Sequence, residues 1–313
     1  MEAAMKLARQ YFVEKESPEL SRMRFIARKE SYHGATLGSL AMGGHRSRRA
    51  IYEPLLLEHI SHVSPCNAYR YQRAGESDED FVSRLAQELE DEFLRVGPET
   101  VCAFVAEPVV GAALGCVPPV KGYFKAVKKV CDKFGALLIL DEVMCGMGRT
   151  GSLHAWQDPL VGVVPDIQAL GKGLGAGYAP VAALLVGEKV VSALAKGTGA
   201  FSHGQTYQGH PVSCAAALEV QRVLKDERLV ENVASLAPYF EQLLREKIEP
   251  LPHVGNVRGK GFFWGVCRML TYLEWYLHYR LLTFPRLNLY RTRLQRSPSQ
   301  QNELFRWVCK SWA

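Results

Sequence analysis

The run Ala136-Leu-Leu-Ile-Leu-Asp141-Glu142-Val143 is an apolar strand that ends abruptly in two carboxylates. A buried strand that delivers an acid to the sheet edge can hold it against a cationic ring nitrogen, where a charge-assisted hydrogen bond keeps that nitrogen protonated. The same residue can equally cap the turn that follows, and the strand by itself leaves both readings open. No metal site is expected, because adjacent side chains of an extended strand point apart and Asp141 and Glu142 converge poorly on one ion. Downstream, Gly171-Lys172-Gly173-Leu174-Gly175-Ala176-Gly177 sets a lysine among glycines after a short apolar run. Glycines remove side-chain bulk, so a flat aromatic cofactor could approach while the amine reaches its aldehyde. A surface lysine in a flexible loop is the plain alternative. Gly171, Gly173 and Ala176 also fit a relaxed dinucleotide pattern, but Gly175, Gly177 and Pro180 oppose the helix that such a pattern must open.

Three further segments carry suggestive side chains. Ser31-Tyr32-His33-Gly34 places two aromatic rings before a glycine, which suits either a stacking surface for a planar ligand or an ordinary core turn. Glu107 follows the apolar run 101–106 and precedes Pro108, which cannot continue a sheet, so its carboxylate faces a crevice or enters a structural salt bridge. The stretch 202–211, with Thr206 among small donors before a helix, suits an anion such as a phosphate. His203 and His210 in it read as turn residues rather than metal ligands.

The elements that must position these groups alternate along the chain. Residues 24–29, 101–106, 136–140 and 182–186 read as strands, while 79–96 and 122–134 carry helical periodicity. That order predicts a mostly parallel sheet with helices on both faces, and such sheets bind ligands at the carboxyl ends of their strands. After Gly209 two helical stretches, 210–224 and 229–248, lead to a short glycine-rich hairpin over 254–266, where a second domain is expected to begin.

Composition narrows the class. With 48% hydrophobic and 22% charged residues, the chain has the balance of a soluble globular protein. No apolar run reaches bilayer-spanning length, and no membrane association is expected. Residues 1–11 read as a helix without the basic start and apolar centre of a secretory signal, which points to a cytoplasmic location. The eight cysteines include no C-x-x-C pair, so reduced thiols are the expectation. The formal charge of +6 is concentrated in 271–313, which holds seven Lys/Arg against two acids, leaving 31 bases and 30 acids elsewhere. Nucleic-acid binding would rest on that stretch alone and is not expected.

Taken in order, five stretches resemble the class III aminotransferases of the fold-type I pyridoxal-phosphate (PLP) family. They are Tyr32-His33-Gly34, Glu107-Pro-Val-Val-Gly111, Leu140-Asp-Glu-Val-Met-Cys-Gly-Met-Gly-Arg-Thr-Gly151, Pro165-Asp-Ile-Gln-Ala-Leu-Gly-Lys-Gly173 and His203-Gly-Gln-Thr-Tyr-Gln-Gly-His-Pro211. The resemblance runs from Met1 to about Val266. It implies an α/β protein of the PLP-dependent transferase fold type I: a mostly parallel sheet sandwiched by helices, with an incomplete small C-terminal α/β domain. A PLP-binding large domain would span 1–217 and the start of the small domain 218–269; residues 270–313 form a tail that does not resemble the family.

The resemblance also assigns roles. Lys172 would bond to PLP and, once freed, move the substrate proton, while Asp141 pairs with the pyridinium nitrogen. Tyr32 would stack on one ring face and Val143 pack on the other, with His33 and Gly34 beside them and Glu107 near the cofactor. Thr206 would reach a cofactor phosphate, typically that of the partner subunit in a homodimer. Met144 stands where many members have a glutamine that bonds the ring hydroxyl. Met1 to Lys6 resemble the interior of a family helix whose preceding Gly/Ser-rich turn holds the PLP phosphate. The implied activity is transfer of an amino group between an amine or amino acid and a 2-oxo acid. The alternative is a non-catalytic remnant that acts by association with a full-length relative.

Overall fold

The computed structural model describes residues 1–268. The tail expected from 270, with the basic stretch 271–313, lies outside the described residues. The chain opens with α1 (Glu2–Glu14) and β1 (Arg24–Arg28), then short helices α2 (Leu37–Met42) and α3 (Arg46–Arg49), strand β2 (Ile60–Val63), α4 (Ala68–Tyr71) and the long α5 (Asp78–Val96). There follow β3 (Val101–Ala106), α6 (Tyr123–Lys133), β4 (Leu137–Asp141), β5 (Ile167–Leu170), β6 (Ala183–Val186) and α7 (Glu188–Lys196). Helices α8 (Pro211–Asp226) and α9 (Leu229–Lys247) precede a two-stranded sheet of β7 (Val254–Lys260) and β8 (Phe263–Arg268).

The main sheet has six strands in the order β2-β1-β3-β4-β5-β6, with every pairing parallel except β5 with β6. Strand periodicity sends Leu138 and Leu140 into one buried cluster with Phe104, and Leu137 and Ile139 into another with Val105. Helices α5 and α6 cover the first face through Phe81, Leu85, Leu89, Phe93, Phe124 and Val127. Helix α1 and Val190 of α7 cover the second, through Ala4, Leu7, Ala8 and Phe12. The mostly parallel sheet between helical layers is therefore the expected one. Because β4 is buried at all five positions, its sequence carries no alternation.

Helix α5 shows how local chemistry sets an element. The Ser77 side chain accepts the Asp80 N–H at 3.1 Å, and Asp78, Glu79 and Asp80 complement the positive end of the helix. Its apolar side chains recur every four residues, and it stops at Gly97, where φ is +90°. Full burial of each phenylalanine contributes about 1.5–3 kcal/mol.

Two strands were not anticipated from the sequence. Edge strand β2, Ile-Ser-His-Val, is only partly buried, and β5 contains Gln168, a polar residue in a buried position. Gln168 is satisfied there by the Trp156 indole N–H at 3.2 Å and by His154 at 3.0 Å.

Residues 1–251 and 256–267 form one compact unit. The expected boundary at 217/218 falls within α8. None of the α9 side chains is buried and only Ala217 of α8 is.

Candidate active site

Strand β1 pairs with β2 on one side and β3 on the other, so the strand order reverses between β1 and β3. At such a reversal the connections diverge and leave a crevice at the carboxyl ends. The chemistry-bearing residues gather there: Tyr32 and His33 follow β1, Glu107 follows β3, Asp141 ends β4 and Lys172 follows β5. Pairing of Asp141 with Ala169 sets Lys172 on the neighbouring strand's exit.

Asp141 is 5% exposed, and its two oxygens have different partners. Oδ1 accepts the Val143 N–H at 3.1 Å, which is the turn-capping contact. Oδ2 lies 2.8 Å from His33 Nδ1. His33 is buried, and its Nε2 has no hydrogen-bond partner among the described residues. The Nδ1 contact fixes the orientation of Asp141 Oδ2. Gly34, at φ +132°, lets the chain turn into α2, since a Cβ there would meet the Ser39 Cβ at 2.8 Å.

Glu107 is buried and makes no ion pair among the described residues. Its Oε1 accepts the Tyr32 N–H and its Oε2 the Gly111 N–H, both at 3.0 Å. Burial pushes its carboxyl up, the His33 side chain pulls it down and Asp141 adds to the rise. Beneath it, the fully buried Arg28 donates to the Glu107 carbonyl oxygen and lies between the Tyr123 and Phe124 rings.

Lys172 is exposed, and its amine makes no hydrogen bond or ion pair among the described residues. It adopts φ +40°, a left-handed conformation unusual for a residue with a side chain and one that clusters at working sites. The flanking glycines serve close packing more than open space: a Cβ at Gly173 would meet the Met147 Cβ at 2.9 Å. Val143 packs against Gly171 and lines a cavity of about 550 Å³ with Ala169, Leu184, Phe201 and His203. Thr206 is exposed, is not among the residues lining that cavity, and its hydroxyl has no partner among the described residues. Met144 abuts Gly111 through its sulfur, and a thioether cannot donate a hydrogen bond.

Glu142 points away from Asp141, as alternation requires, and accepts the Ala155 and Trp156 N–H groups at 2.6 and 2.9 Å. Burial raises its carboxyl to about 7 against the pull of those donors. Its folded form therefore holds a proton that the unfolded chain, titrating near 4.5, has lost. The stability this group contributes is full below pH 4.5 and disappears as pH rises through about 7. We expect Glu142→Gln to remove a slope worth on the order of 3 kcal/mol across that window. Denaturant unfolding of both proteins at the two ends of the window measures it, and parallel pH dependences would contradict it.

Among the described residues no group of three or more His, Cys, Asp or Glu side chains is placed to hold a metal ion, and no helix is long and apolar enough to cross a membrane.

A mostly parallel α/β sheet brings a buried carboxylate, held by a histidine, and an exposed lysine to the carboxyl ends of two neighbouring strands. The chain belongs to the class-III aminotransferase family, whose pattern it matches over residues 1–271. It is 57% identical over 267 residues to an aminotransferase of Gibberella zeae, covering 85% of this chain and 52% of that protein. It is 49% identical over 266 residues to an uncharacterized aminotransferase of Schizosaccharomyces pombe, covering 85% and 57%. The crystal structure of an (S)-enantioselective omega-transaminase from Thermomicrobium roseum superposes with a TM-score of 0.78 at 41% identity, over 85% of this chain and 57% of that one. The chain thus spans about half the length of the curated relatives it matches.

This family depends on PLP, and the residues present fit that cofactor. A buried carboxylate at a strand end suits a ring nitrogen, a free amine on the adjoining strand suits an aldehyde, and the orphaned His33 Nε2 is a buried polar atom still lacking a partner.

Proposed function

We propose that this chain carries the PLP-binding half of a transaminase that moves an amino group between an amine or amino acid and a 2-oxo acid. The juxtaposition of Asp141, fixed by His33, with the unpaired Lys172 on the next strand carries this reading. PLP, when bound, supplies an electron sink for the bond that breaks at the substrate's amine-bearing carbon.

The chain's own residues do the rest. Lys172 would hold the cofactor through its amine and, when that amine is freed, take and return the substrate proton. Asp141 would face the ring nitrogen, and His33 fixes the orientation of that carboxylate through Nδ1. Tyr32 and Val143 would pack against the cofactor ring, with Gly34 allowing the turn. Glu107 anchors the Tyr32 backbone, which ties the ring-facing segment to the end of β3. Thr206, exposed in the single chain, would reach the phosphate of a partner subunit's cofactor in a homodimer. The division into a large domain over 1–217 and a small-domain start over 218–269 is part of this proposal.

Purified protein mixed with PLP tests the reading. The expected result is the absorbance band of a lysine-bound cofactor, which an amino donor bleaches and a 2-oxo acid restores. A protein that shows no band supports the non-catalytic alternative instead.

A further inference from the structure

Helix α2 has six residues, too few to be stable by itself, and it begins directly after the Tyr32-His33-Gly34 turn. Its residues from Gly38 to Met42 are all buried, yet its own N-cap, Thr36, makes no side-chain cap bond. The first amides of such a helix need an acceptor from elsewhere. Glu2, in the first turn of α1, supplies it: Oε1 accepts the Ser39 N–H at 2.9 Å and the Thr36 hydroxyl at 2.5 Å. The carboxylate lies so close that a Cβ at Gly38 would sit 2.6 Å from Oε2. Burial pushes the Glu2 carboxyl up, but the Thr36 hydroxyl, the Ser39 N–H, the chain's amino group and the Gly38 N–H together bring it below its usual value. At the other end of α2, Arg49 Nη1 donates to the carbonyl oxygens of Leu40, Ala41 and Gly43 at 3.1, 2.6 and 2.7 Å. An anion at the first turn and a cation at the last both complement the helix dipole.

The clamped helix supports the turn that carries His33. Ser39, whose amide Glu2 holds, packs where a Cβ of Gly34 would go. Gly44 N–H donates to the Ser31 carbonyl oxygen at 3.0 Å, and a Cβ at Gly43 would meet that oxygen at 3.2 Å and the His33 nitrogen at 3.5 Å. The next contact outward is His33 Nδ1 on Asp141. On α1, the residues on either side of Glu2, Met1 and Ala3, line the cavity that Val143 also lines. One carboxylate therefore ties the helix walling that cavity to the turn that orients Asp141.

We propose that Glu2 is a positioning residue of the cofactor site: it caps α2 from outside, and the fixed helix holds His33 against Asp141. The consequence for the cofactor rests on the transaminase reading, whereas the placement of His33 does not.

The test compares full-length wild type, Glu2→Ala, and Glu2→Ala combined with Thr36→Asp, which gives α2 a cap of its own. Amide exchange of Gly38 and Ser39 without PLP reads the cap. Protection is expected to fall about 3–30-fold in Glu2→Ala and to return in the double variant. The downfield NMR signal of the His33 Nδ1 proton, also without PLP, should be lost in Glu2→Ala and restored with the cap. Titration with PLP, followed by the lysine-bound band, should show a Kd raised about 3–30-fold and then recovered. Should Glu2→Ala not fold, Glu2→Gln, which keeps an oxygen and loses the charge, gives the same comparison with a smaller effect. Unchanged protection removes the cap and with it the proposal. A His33 signal or a PLP affinity that stays at the wild-type level once protection is lost makes Glu2 a helix cap only and overturns it. So does a wild type without the His33 signal, or a loss that the restored cap does not recover. If the wild type forms no lysine-bound band, the transaminase reading fails separately, and the two PLP-free measurements decide the positioning role.

Discussion

Lys172→Ala is expected to abolish the lysine-bound PLP band and to reduce turnover by on the order of 10⁴-fold or more, since the amine serves both as the covalent anchor and as the proton carrier. The loss would not come from unfolding. Lys172 is exposed, its amine has no partner among the described residues, and alanine is no more strained than lysine at φ +40°. Its effect on stability should stay within about 0.5 kcal/mol. Absorbance spectra and denaturant unfolding on the same preparation separate the two effects. A variant that retains the band would show that another amine holds the cofactor.

The second large effect is expected from Asp141→Asn. The substitution keeps the side-chain volume and the Oδ1 contact to the Val143 N–H but removes the charge that faces His33 Nδ1 at 2.8 Å. A ring nitrogen opposite an amide is no longer held in its protonated form, so turnover should fall roughly 10²–10³-fold, the range seen when one preorganised electrostatic partner is removed. PLP affinity should fall with it. Turnover and affinity both equal to wild type would leave Asp141 as a turn cap only, through the contact that Oδ1 makes.

How much was legible in the sequence depended on how local each signal was. Strands β3 and β4 stand out because parallel strands buried on both faces become unbroken apolar runs. Strand β5 is hidden by Gln168, whose buried amide is acceptable only because Trp156 and His154, distant in the fold's local pattern, satisfy it. Edge strand β2 is half polar because, among the described residues, one of its edges faces no other strand.

The same division runs through the candidate site. Asp141 and Lys172 announce themselves, one ending an apolar run and the other set among glycines. The contact between His33 and Asp141 spans 108 positions and has no local signature. His33 therefore read as either a stacking ring or a core turn residue, and in the fold its Nδ1 meets the carboxylate. Glycines 173 and 175 read as clearance for a flat ligand, but Met147 and the Ala179 carbonyl occupy the space their side chains would take. Glu142 entered the reading only as a metal ligand that strand alternation argues against, and its hold on the Ala155 and Trp156 amides depends on a turn that returns to the strand. Arg28 gave no signal at all, because a buried arginine without a carboxylate is recognisable only from what packs around it.

Chemical trapping decides the central matter most directly. Borohydride reduction of the PLP-treated protein converts a labile lysine linkage into a stable one, and peptide mass mapping then reports which side chain bears the pyridoxyl group. The expected modification is on Lys172 and nowhere else. Its appearance on a different lysine, or its absence from every peptide, would contradict the assignment of that amine as the cofactor's anchor.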